Sequence, residues 1–147
     1  MTGPFRPLSR RYTQAHTLRF LECFLEKATV RSQSELMVID PYVDEDLLDI
    51  FASLNPAVKI RLLTEHPKGN FKTAYRKLQQ QRRGIEVRRS TQFHDRFIVV
   101  DKAACYQLGG SINHAGAKAT TIGMKQDVIR NRVIAEAEKA WSSAMSI

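Results

Sequence analysis

The chain has 147 residues, enough to bury the core of one domain, and 43% of them are hydrophobic and 26% charged, the balance of a globular protein. A formal net charge of +8 points to an anionic partner: nucleic acid, a phosphate-bearing small molecule or an acidic membrane surface. Cys23 and Cys105 form no CxxC, which argues against a zinc or disulfide scaffold and suits a reducing cytoplasm, and no apolar run approaches the length of a membrane span.

Residues 1–11, with Pro4 and Pro7, are expected to form an irregular arm, and 12–147 a single domain. From Tyr12 to Ala28, Ala15, Leu18, Phe20, Leu21, Phe24 and Leu25 recur near helical spacing. Leu36 to Asp40 reads as a buried strand stopped by Pro41. Asp44 is a plausible N-cap for a helix whose first turn carries Glu45 and Asp46 and whose inner face carries Leu47, Leu48, Ile50, Phe51 and Leu54.

"VKIRLLT" alternates, with Val58, Ile60 and Leu62 on one face and Lys59 and Arg61 on the other. Asn70 to Gln81 is helical, with Phe71, Ala74, Tyr75 and Leu78 inward. "IEVRR" is a short strand. "RFIVVD" and "CYQLGG" are two more, joined by a tight turn over Asp101–Ala104 as an antiparallel hairpin. Asp127 to Met145 is helical, with Val128, Ile129, Val133, Ala137, Ala140 and Trp141 as its buried stripe. Strands alternating with helices predict an α/β layered domain, and the hairpin makes its sheet mixed.

The chemistry concentrates in "FHDRFIVVD", Phe93 to Asp101. On a regular strand His94 and Arg96 share a face with Ile98 and Val100, while Asp95 and Asp101 point the other way. An imidazole beside a fixed guanidinium suits phosphodiester chemistry: the planar fork neutralises and orients phosphate, and histidine attacks phosphorus or protonates a leaving oxygen. The hairpin returns "GGSIN", Gly109 to Asn113, to the same end, where Gly110 permits close approach and Ser111 and Asn113 offer hydrogen bonds to phosphate oxygens.

His94-x-Arg96-x-x-x-x-Asp101 followed by Gly110-Ser111-x-Asn113 resembles the HxKxxxxD and GSxxN signature of the phospholipase D superfamily, in a nuclease-like bacterial branch. "IDPYVDEDLLDIF" is similar to the strand–helix entry of bacterial members, and the resemblance runs from about Glu35 to Ile122. It implies a phospholipase D-like layered domain, a mixed sheet flanked by helices. It also implies a phosphohistidine intermediate at His94, needing neither metal nor cofactor. A chain with one motif implies a homodimer in which two His94 side chains share one active site. Arg96 stands where the family has lysine, Asn113 comes one place early, and no carboxylate to orient the histidine is evident beyond a weak candidate in Asp127.

The catalytic set implied is therefore His94, Arg96, Asp101, Ser111 and Asn113, with Asp101 carried as a motif residue whose parity favours a structural role in the turn. Gly110, His114, Lys118, Arg88 and Arg89 are substrate-binding candidates. Asp95 is expected to pair with Arg88 or Arg89. The basic run Lys68, Lys72, Arg76, Lys77, Arg82, Arg83, Arg88 and Arg89 offers a track for a nucleic-acid backbone, although each alone reads as a solvated face. Phe71 and Tyr75 face inward, so base stacking is not indicated there, and His16 and His66 receive no role. The leading expectation is a metal-independent nuclease. The alternative is a catalytically inactive module binding phosphate on nucleic acid or a phosphoinositide.

Overall fold

The structure, a computed structural model, describes residues 10–30, 35–109 and 122–147. Its elements run α1 (Arg10–Val30), β1 (Glu35–Ile39), α2 (Glu45–Ser53), β2 (Lys59–Thr64), α3 (Phe71–Gln81) and β3 (Ile85–Arg89). They continue with β4 (Arg96–Val100), β5 (Ala104–Leu108), β6 (Ile122–Lys125), α4 (Asp127–Ser143) and β7 (Met145–Ser146). The strands form one sheet in the order β6-β5-β4-β1-β2-β3-β7. β1, β2 and β3 are parallel neighbours, and every other pairing is antiparallel. No described helix is long and apolar enough to cross a membrane.

Each face of the sheet buries its own core, because alternate residues point to opposite sides. Leu36, Val38, Ile60, Leu62, Ile85, Val87 and Ile98 pack against Leu21 and Leu25 of α1, Leu47 and Phe51 of α2, and Phe71, Tyr75 and Leu78 of α3. Met37, Ile39, Leu63, Phe97, Val99 and Cys105 pack against Ala137, Ala140 and Trp141 of α4. The result is three layers, with α1, α2 and α3 on one face of the sheet and α4 on the other.

Local chemistry explains the joints. The Asp44 side chain accepts from the Asp46 N–H at 3.0 Å and caps α2 as expected. Asp101 and Lys102 both take positive φ, 53° and 55°, turning β4 tightly into β5. The Asp101 N–H donates to the Glu35 carbonyl at 2.8 Å, and its carboxylate accepts from the Glu35 N–H at 3.0 Å. That turn is thereby stitched to the start of β1.

Two expected apolar stripes are narrower than their spacing implied. Val128 is 78% exposed and Ile129 59% exposed, so the buried stripe of α4 begins only near Val133. The core on that face draws on β1, β2, β4 and β5, and the first turn of α4, emerging beside the edge strand β6, meets none of it. In α1, which starts at Arg10, Leu21 and Leu25 are buried and Phe20 is exposed. The side chains of Ala15 and Leu18 lie outside the described ones.

Candidate active site

The parallel strands β1, β2 and β3 end at one edge of the sheet, and β4, antiparallel to β1, begins there. Ligands of open α/β sheets bind beyond such carboxyl ends. Register aligns the last positions. Ile39 faces both Leu63 and Phe97, so the next residue of β1, Asp40, lies level with Thr64 and Arg96. Thr64 pairs with Arg89, and Arg96 with Leu108. A row Arg89–Thr64–Asp40–Arg96–Leu108 therefore crosses five strands, and alternation puts it on the face covered by α1, α2 and α3.

Asp40 and Arg96 are the centre of that row. The Asp40 side chain is 1% exposed, and its Oδ1 accepts from the Tyr42 N–H at 2.9 Å. Arg96 Nε is buried and lies 3.6 Å from Asp40 Oδ1, a charge contact beyond hydrogen-bond length. A carboxylate this deep in the sheet end holds the guanidinium at the rim, since a buried charge needs an opposite one nearby. Nothing in the sequence marked Asp40 as more than the end of a strand. The antiparallel register of β1 against β4 is what brings it to Arg96.

His94 is exposed and stands two residues before Arg96, in the loop that enters β4. The strand begins at Arg96, so strand parity does not govern His94 as expected. His94 makes no hydrogen bond, ion pair or ring contact with another described residue. Its imidazole is thus presented at the rim without an orienting carboxylate from the described residues.

The other candidates divide. Arg89, on the row, is exposed and donates from Nε to the Glu65 carbonyl at 3.1 Å. Arg88 points to the opposite face and is not brought to the site. Its guanidinium carbon lies 4.5 Å from the Trp141 ring centroid, Nη1 donates to the Trp141 carbonyl at 2.8 Å, and Nε pairs with Glu86 at 2.7 Å. Asp101 sits at the far end of β4, about 16 Å along the strand from Arg96, with the turn-anchoring role described above. Gly110, Ser111, Asn113, His114 and Lys118 lie outside the described residues. Leu108 pairs with Arg96, so the strand that leads to them ends at the edge where His94 stands.

Two further expectations need correction. Asp95 does not pair with Arg88 or Arg89, because β4 neighbours β1 and β5, not β3. Arg82 is no part of a basic track. It is 7% exposed, and its guanidinium donates to the carbonyls of Phe51, Leu54, Asn55 and Val58 at 3.3, 2.6, 2.6 and 2.8 Å. Burial lowers its pKa from the ordinary value. Lys68, Lys72, Arg76, Lys77 and Arg83 are exposed and keep the outer surface basic.

No protein-family profile matches the chain, and no curated protein matches it in sequence. Solved structures do match its fold. It is similar to a phospholipase D family member, Nuc from Salmonella typhimurium, with a TM-score of 0.61 and 15% identity over 88% of this chain and 90% of that one. It is similar to NucT from Helicobacter pylori, with a TM-score of 0.58 and 11% identity over 92% and 94% of the two chains. It also matches TrmBL2, an archaeal chromatin protein that binds DNA, with a TM-score of 0.50 and 14% identity over 88% and 52%. At such identities the likeness is one of fold: the chain has the phospholipase D-like layered α/β fold.

Proposed function

We propose that the chain is a phosphodiesterase acting on nucleic acid through His94. The observation that carries the reading is Arg96, held beside buried Asp40, at the carboxyl end of the parallel strands of a phospholipase D-like sheet, with the exposed His94 two residues before it in the chain. A ring nitrogen of His94 attacks phosphorus, forming a P–N bond as the P–O bond to the leaving oxygen breaks. That oxygen takes its proton from a second imidazole, His94 of a second copy of the chain. Water then attacks the phosphohistidine, giving its proton back to the second imidazole and releasing His94. Arg96, with Ser111 and Asn113, offsets the charge that builds on the phosphoryl oxygens. Gly110, His114 and Lys118 complete the cradle in this reading. The net charge of +8 and the exposed cations of α3 draw in a polyanion.

A second reading is a module that holds phosphate without cutting it. The absence of an orienting carboxylate on His94 among the described residues favours it, because catalytic imidazoles are held by such partners. Incubation of the protein with labelled single- and double-stranded DNA and RNA in excess EDTA, beside His94→Ala, separates the two. Cleavage that survives EDTA and disappears in the variant is the expected result. Two inert proteins that still shift nucleic acid would instead support the binding module.

A further inference from the structure

Beside the His94 rim lies an arrangement that the reaction above does not use. The segments leaving β1 and β2 cross the same end of the sheet and are laced together through their main chains. The N–H groups of Glu65 and His66 donate to the Pro41 carbonyl at 3.2 and 2.7 Å, and that of Lys68 to the Val43 carbonyl at 2.8 Å. The Asn70 N–H donates to Glu45 Oε2 at 3.0 Å. Gly69 takes φ 62°, a conformation that favours glycine, and a Cβ there would push aside the Glu45 carboxylate, whose Oε2 it would meet at 2.7 Å.

This lacing fixes a ring pair. The His66 imidazole stacks on the Tyr42 ring, with centroids 5.2 Å apart and planes 24° from parallel. Lys68 Nζ lies 5.3 Å from the Tyr42 centroid, and His66 Nε2 lies 3.2 Å from Glu65 Oε1. Arg89 donates to the Glu65 carbonyl, one residue from His66, so a second cation lies near the pair. The His66 side chain is 53% exposed. A stack this wet buries little apolar area and adds little to folding. It does present a flat ring to solvent from a fixed backbone just beyond β2, a strand that lies two strand spacings, about 10 Å, from β4.

We propose that the Tyr42–His66 pair is a base-stacking platform that selects single-stranded polynucleotide, taking an unpaired base beside the phosphate held at Arg96, with Lys68 and Arg89 on flanking phosphates. The proposal rests on the reading of that rim as a phosphodiester site. Bases in a duplex have both faces covered by their neighbours, so only an unpaired base extends the stack.

The test is binding by fluorescence anisotropy at low salt in EDTA, in a His94→Ala background so that the probe stays intact. The probes are a labelled single-stranded DNA, its RNA equivalent, a single strand of the same length made of abasic residues, and the DNA duplex. The background protein is expected to bind base-bearing single strands roughly tenfold more tightly than the abasic strand. Adding His66→Ala removes that difference and leaves abasic binding unchanged, while His66→Tyr keeps it. Equal affinity for base-bearing and abasic strands, or a base preference unmoved by His66→Ala, overturns the platform. Continued cleavage by His94→Ala would be a different failure, that of the phosphodiesterase reading, and shows directly as a shortened probe.

Discussion

Replacing Arg82 by methionine keeps the aliphatic stem and removes the guanidinium from four carbonyls of the α2–β2 connection, those of Phe51, Leu54, Asn55 and Val58. Each carbonyl left without a donor costs about 1–3 kcal/mol when water cannot reach it. The Phe51 and Asn55 carbonyls keep the N–H donors of Leu54 and Val58, which leaves two buried carbonyls, those of Leu54 and Val58, without the donor they had. Removing a buried charge returns part of its desolvation cost, so the expected net loss is about 2–4 kcal/mol. For a chain of this size that lowers Tm by roughly 6–15 °C. Urea and thermal unfolding followed by circular dichroism measure it. The control is Arg83→Met, one residue on and exposed, which should stay within about 0.5 kcal/mol of wild type and weaken polyanion binding. An Arg82→Met protein as stable as wild type but weaker on nucleic acid would return Arg82 to the basic track.

Three other outcomes follow from contacts described above or visible beside them. Glu138 pairs with Arg61 at 2.5 Å, and that hydrogen bond holds its carboxyl below the ordinary value of 4.5. Its contribution is therefore present above that value and lost as pH falls through the lower, folded one. Glu138→Gln should be less stable than wild type at pH 7, and the gap should close below pH 4.5 in acid titrations of Tm. Cys23 is exposed, whereas burial raises the pKa of the Cys105 thiol, so iodoacetamide should label the native protein once per chain, at Cys23, and twice only after unfolding. Arg96→Lys should keep phosphate binding within about tenfold because a cation still faces Asp40, whereas Arg96→Ala should lose it and also destabilise the fold; titration with a short oligonucleotide compares them.

The layered fold was legible because its signals are local. Alternation in "VKIRLLT" separated Ile60 and Leu62 from Arg61, and the short Asp101–Ala104 connection forced an antiparallel hairpin. The candidate site was legible only where its residues lie close together in the chain, as His94 and Arg96 do. Asp40 reaches Arg96, and Tyr42 reaches His66, through pairings across strands far apart in the chain, which no local pattern announces. Arg88 and Arg89 differ only by strand parity, and which parity meets α4 depends on the layer above. Arg82 did carry a signal. Phe71, Tyr75, Leu78 and Arg82 continue one helical stripe, and the stripe outweighs the charge once four carbonyls wait at its end.

The most direct test of His94 as the nucleophile is the mass of the protein itself during turnover. The EDTA-treated protein is mixed with a short oligonucleotide, quenched in alkali within seconds and digested for mass spectrometry. The expected result is a phosphoryl-nucleotide adduct on His94 that is stable to base, lost in acid and missing from His94→Ala. Robust metal-free cleavage with no adduct on His94, or with the adduct on another residue, would contradict it.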